Sequence, residues 1–273
     1  MAADIIKMIS YPFMQRAIIA GILVSVCAAL LGTSLVLKRY SMIGDGLSHM
    51  GFAALAVAYA ANLAPLAVAI PVCVLAAFIL LRMNENSKIK GDAATAIMCS
   101  GALATGVMTV SLSTGMNTEV CNYLFGSILA MSSSDVRISV VLSLSVFVLF
   151  IVFYPWIFAV TFDENYARAT GIRSSLYNMI IALLTAVTIV LGMRMMGTLL
   201  ISSLIVFPAL SAMRVCKSFR NVIILSVIIS LICFLAGVYV SYMYSVPTGA
   251  SIVIADIIAF LVLFLAEKIK TVN

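Results

Sequence analysis

The chain predicts an all-α, polytopic membrane helix bundle of about nine spans, and three observations predict it. Of 273 residues, 64% are hydrophobic and only 10% charged, with a mean hydropathy of +1.22, so no aqueous fold could hide that much apolar surface. Seven stretches, 17–37, 46–81, 93–118, 138–162, 174–193, 195–213 and 221–255, contain no Asp, Glu, Lys or Arg. Each is long enough to cross about 30 Å of hydrocarbon at about 1.5 Å per residue, and two can cross twice. The basic residues, finally, are distributed unevenly over the intervening loops.

The first span, 17–37, exceeds the apolar core of a secretory signal and is expected to be retained. The run 46–81 divides near Asn62 and Pro65 into spans 47–62 and 65–81, followed by 93–115, 138–160, 175–193 and 196–213. The last run divides at Pro247 into 221–242 and 248–266. Residues 117–134 are apolar but short and punctuated by Gly126 and serines, which reads as a re-entrant or surface helix. No loop is long enough to fold separately, so residues 1–273 are expected to form one transmembrane domain.

Nine crossings place the termini on opposite sides. Twelve of the sixteen Lys and Arg fall on one side: Lys38, Arg39, Arg82, Lys88, Lys90, Arg168, Arg173, Arg214, Lys217, Arg220, Lys268 and Lys270. That side is expected to be cytoplasmic, with the N-terminus outside and the C-terminus inside. The net charge of +6 follows from this topology and calls for no nucleic acid. Small residues four apart, Gly21 with Ser25 and Ala102 with Gly106, let helices approach closely in lipid.

The chain has one histidine, His49, four residues after Asp45. On a helix this spacing puts an imidazole and a carboxylate on one face, a ligand pair for a divalent cation. The plainer alternative has Asp45 capping a helix that starts at Gly46 while His49 merely packs. Intramembrane ionisable groups are costly and are functional candidates by default. Glu119 is a third candidate, otherwise a wetted loop carboxylate. Asp256 is an intramembrane acid with no visible partner. Six cysteines, 27, 73, 99, 121, 216 and 233, are scattered singly and read as packing residues.

Residues 161–171 read as a short helix that starts at Asp163 and stops at Gly171, either a connector or a docking helix for a soluble partner. Met193, Met195 and Met196 surround Arg194, which argues against a soft-metal thioether site. Pro208 is expected to kink its span and line a pathway. No phosphate-binding Gly-x-x-x-x-Gly-Lys-Ser/Thr loop occurs, so any ATP that drives this chain would bind another subunit. Ser48 adjoins His49, but neighbouring helix residues point about 100° apart, which disfavours a hydrolytic dyad between them.

These motifs resemble the membrane-spanning permeases of bacterial ABC importers for zinc, manganese and iron. The similarity rests on Tyr11-Pro12-Phe13-Met14-Gln15-Arg16-Ala17, on Val36 to His49 with its Gly44-Asp45-Gly46-Leu47-Ser48-His49 signature, on Tyr123-Leu124-Phe125-Gly126, and on Met196 to Ala209 around Pro208. The resemblance implies a fold related to that of vitamin B12-type importers and a homodimer that forms the translocation path. It further implies two cytoplasmic ATP-binding subunits and an extracytoplasmic metal-binding protein. It puts Asp45 and His49 on the metal's route, with Glu119 where relatives often carry an acid. The ATPase would dock around Asp163, Glu164, Ala167, Arg168, Ala169 and Gly171. Ser127 stands where some zinc relatives have an acid. Zinc is the expected cargo, with manganese and ferrous iron as alternatives. The rival from another class is an ion-gradient-driven transporter using Asp45 and Asp256 as proton relays.

Overall fold

A computed structural model describes residues 10–86, 91–113, 133–198 and 200–272. Every regular element among them is a helix: α1 Pro12–Leu37, α2 Ile43–Ala60, α3 Pro65–Asn86, α4 Gly91–Ser113, α5 Ser133–Val152, α6 Tyr154–Phe162, α7 Glu164–Ala169, α8 Ser174–Met196, α9 Ile201–Val215, α10 Phe219–Tyr244 and α11 Thr248–Val272. Glu119 and the segment 117–134 lie largely or wholly outside the described residues, as do Cys121 and the Tyr123 to Gly126 motif.

Each of the nine predicted stretches is mainly helical where it is described, but nine spans are not supported. Among the described residues six helices, within α1, α3, α4, α8, α10 and α11, are long and apolar enough to cross a membrane, and a seventh span requires joining α5 to α6 across a 69° bend. The bend has a local cause. Pro155 has no N–H to give the carbonyl one turn earlier, so the stretch expected as one span, 138–160, breaks at Phe153. Helix α9 has only 15 residues, about 22 Å at about 1.5 Å per residue, too short for the hydrocarbon alone. Helix α2 dilutes its hydrophobicity with Asp45, Ser48 and His49 and is buried over most of its length, with Val57 and Tyr59 exposed near its C-terminal end.

Helix α1 is the hub. It packs against α5, α8, α9 and α10. Its Gly32 allows this: a Cβ there would sit 2.0 Å from the carbonyl oxygen of Ile205 on α9. Ser230 on α10 donates to the Ser25 carbonyl of α1 at 3.1 Å, satisfying a buried hydroxyl across the interface. The periphery is apolar, with Leu75, Ile97, Met108, Leu112, Ile232 and Val262 outward-facing, as a lipid-solvated surface requires.

Helix α1 ends in a tight turn into α2. Arg39 takes φ +60°, the Tyr40 N–H bonds the Leu35 carbonyl at 2.8 Å and the Arg39 N–H bonds Val36 at 3.0 Å, a Schellman closure with arginine at the left-handed position where glycine is usual. Two more hydrogen bonds, Ile43 to Tyr40 and Asp45 to Met42, carry the chain directly into α2. The length of this turn therefore fixes where Asp45 emerges.

Candidate metal site

Helix α2 starts at Ile43, so Asp45 lies inside its first turn and makes no capping bond of its own. The capping alternative is thereby corrected. The carboxylate is turned sideways instead, where Oδ1 accepts from Ser202 Oγ of α9 at 3.1 Å. An acid in the first turn also sits favourably at the positive end of the helix dipole. One turn on, His49 is 9% exposed, and its buried Nδ1 has no hydrogen-bond partner among the described residues. An orphan buried nitrogen costs about 1–3 kcal/mol, so this imidazole lacks what a ligand would supply.

The third member comes from α4, the helix on which α2 packs most extensively. Gly46 makes the approach possible, because a Cβ at that position would meet Thr95 Cγ2 at 3.1 Å and Cys99 Sγ at 3.9 Å. One ligand atom each from Asp45, His49 and Cys99 lie within 4.8 Å of one another, and all three residues are partly shielded from solvent. Bonds of 2.0–2.3 Å in tetrahedral geometry put ligands about 3.5 Å apart, so small rotamer adjustments close the set around one ion. Together a carboxylate, an imidazole and a thiol could supply three ligands to one ion and leave a coordination position open.

Cys99 was not expected from the sequence, where it reads as one of several packing cysteines. That reading suits Cys27 and Cys73, which are buried and donate to the carbonyls of Ser143 and Leu47 at 3.2 and 3.5 Å. Met193 is filler, its sulfur lying against Gly51 of α2. Ser48 turns back on its own helix, donating to the Asp45 carbonyl at 2.8 Å. Asp256 is fully buried in α11 and does not join the Asp45 cluster. Pro208 is buried within an uninterrupted α9, and its carbonyl accepts from Ser226 of α10 at 3.3 Å.

The 161–171 segment folds as α7. Asp163 caps it, accepting from the Tyr166 N–H at 2.9 Å, and Gly171 ends it at φ +86°. Glu164 is partly buried, which alone would push its carboxyl up. The hydrogen bond from Asn178 and the charges of Lys38 and Arg168 outweigh that and hold it below the usual range.

Fold and site together define a polytopic helical membrane protein with a candidate metal-ligand cluster between α2 and α4. The chain belongs to the ABC 3 transport family, whose model matches residues 10–267. It is 30% identical over 259 residues to the manganese import system permease protein ScaB of Streptococcus gordonii, covering 94% of this chain and 93% of that one. It is also 30% identical over 269 residues to a Haemophilus influenzae protein named "Probable iron transport system membrane protein", with 97% and 98% coverage. Among solved structures, PsaBC from Streptococcus pneumoniae in complex with Fab is similar at 29% identity and a TM-score of 0.87, with 97% of this chain and 95% of that chain covered. The chain is thus a permease subunit of an ABC-type metal importer, a transport component and not an enzyme. The gradient-driven and hydrolytic readings fall away.

Proposed function

We propose that this permease moves a divalent first-row transition metal through a path on which Asp45, His49 and Cys99 form a transient station. The observation that carries the reading is the orphan His49 Nδ1 beside an acid and a thiol within 4.8 Å. Glu119 is a further acid on the route by resemblance, and Pro208 a lining residue. Within the class, the donor set favours zinc, since thiolate and imidazole suit zinc while manganese prefers oxygen. The manganese and iron in the relatives' names point the other way.

Two copies of the chain flank the path, two ATP-binding subunits dock at α7 through the face around Asp163 to Gly171, and an extracytoplasmic protein delivers the ion. The side carrying Lys38, Arg168, Arg173 and Arg214 is cytoplasmic in this reading, which the basic-residue asymmetry supports. The test is ATP-dependent uptake into proteoliposomes carrying the reconstituted importer, with zinc, ferrous iron and manganese in competition. Zinc should compete most strongly; dominance by manganese would overturn the choice of cargo, and the absence of ATP-dependent uptake of all three would overturn the reading itself.

A further inference from the structure

Below the metal site, where α1 ends, a buried cation joins three helices. Lys38 follows the last residue of α1 and its side chain is only 7% exposed. Its Nζ donates to Asn178 Oδ1 of α8 and lies 3.6 Å from Glu164 Oε2 of α7. Asn178 completes the triangle by donating through Nδ2 to the same Glu164 oxygen at 3.2 Å. On its other side Glu164 accepts from Arg168 at 2.6 Å, and Arg168 Nε donates to Ser174 Oγ at the start of α8, also at 2.6 Å. Nothing in the metal site uses these groups.

Two features make this more than a local tie. Lys38 is the first residue of the Schellman turn, and between it and Asp45 the N–H groups of Lys38, Arg39, Tyr40, Ile43 and Asp45 all make backbone hydrogen bonds. A displacement of Lys38 therefore has little slack to absorb it before reaching the helix that carries Asp45 and His49. At the other end, Glu164 is the first residue of α7, held by its Asp163 cap. A buried ammonium whose partners sit on another element follows that element, because leaving it behind would strand an uncompensated charge.

We infer that Lys38 is a positioning residue that couples movement of α7 to the opening of the metal site, acting through the Glu164–Asn178 pair on one side and the Schellman turn on the other. The inference rests on the reading of α7 as the surface where the ATP-binding subunits dock. Coupling of this kind is a shared two-state equilibrium biased from both ends, so it shows in the ratio of transport to hydrolysis and not in either partner's binding alone.

The experiment uses the full importer in proteoliposomes, with Lys38→Met, Lys38→Arg and Asn178→Leu. Three quantities are read: co-purification of the ATP-binding subunits, ATP turnover, and metal imported per ATP hydrolysed. Lys38→Met should co-purify normally and still hydrolyse ATP, while metal per ATP falls at least about ten-fold. Lys38→Arg, which keeps the charge, should recover most of the ratio, and Asn178→Leu should fall between. A merely structural role would lower all three readouts together. A Lys38→Met ratio within about two-fold of wild type overturns the inference, as does loss of co-purification. If Lys38→Met does not accumulate as folded protein, Asn178→Leu decides, and an unchanged ratio there overturns it. Tyr166→Ala on the exposed side of α7 tests the underlying docking separately: undiminished co-purification would sink that reading, whereas failure of the coupling inference leaves the Tyr166→Ala defect in place.

Discussion

Cys99 yields the most direct residue-scale prediction. If its thiol is the third donor to the ion held by Asp45 and His49, Cys99→Ala should weaken metal binding by about ten-fold or more, and Cys99→Ser should shift preference from zinc toward manganese by trading sulfur for oxygen. Equilibrium dialysis of the purified importer reads both. Ser202→Ala, which removes only the hydroxyl that orients the Asp45 carboxylate, should cost about ten-fold in affinity, the lower end for second-layer groups, without affecting folding. Asp45 and His49 were legible in the sequence because their pairing is local, one helical turn. Cys99 and Ser202 were not, because each comes from a distant helix and only packing brings it in. The closeness of α2 to α4 depends on Gly46, and a glycine there says that something approaches without saying what.

At the scale of elements, helix placement was readable from hydrophobicity and from Asp163 and Gly171, which bound α7 as expected. The break at Phe153 was readable in principle from Pro155, yet the surrounding apolar run masked it. Helix contacts were less legible, since they turn on single small residues. Gly32→Ala should therefore destabilise the bundle by about 1–3 kcal/mol or more, because the new methyl meets a backbone oxygen of α9 that cannot rotate away. Thermal unfolding in detergent would show it, and an unchanged midpoint would contradict the α1–α9 packing. Around α7, the Glu164 carboxyl ionises at lower pH folded than unfolded. Its stabilising contribution is thus complete above the ordinary glutamate value of about 4.3 and is lost as pH falls through the lower folded value. The stability gap between wild type and Glu164→Gln should be open at pH 7 and close on acidification, measured as the difference in their midpoints across that range.

The whole molecule shows why counting apolar runs overstated the spans. Helices α2 and α9 are apolar because they are buried inside the bundle, α2 against α3, α4 and α8, and α9 against α1, α10 and α11, and hydropathy does not distinguish a protein interior from lipid. Two of the three proposed ligands, Asp45 and His49, lie on one of these inner helices, with the Ser202 hydroxyl on the other. A short helix that need not span can carry polar groups that a lipid-facing helix cannot. Seven crossings, like nine, leave the termini on opposite sides, and labelling single cysteines placed near Ser10 and near Thr271 with an impermeant reagent in intact cells tests their orientation; the first site should react and the second stay silent.

The proposed route takes the travelling ion between Asp45, His49 and Cys99. Uptake of radiolabelled zinc by the reconstituted importer, compared for wild type and for Asp45→Ala, His49→Ala and the double variant, tests it most directly. Each single change should lower ATP-dependent uptake at least about ten-fold with co-purification of the ATP-binding subunits intact, and the double variant should be little worse than either. Uptake within about two-fold of wild type in the double variant would contradict the claim.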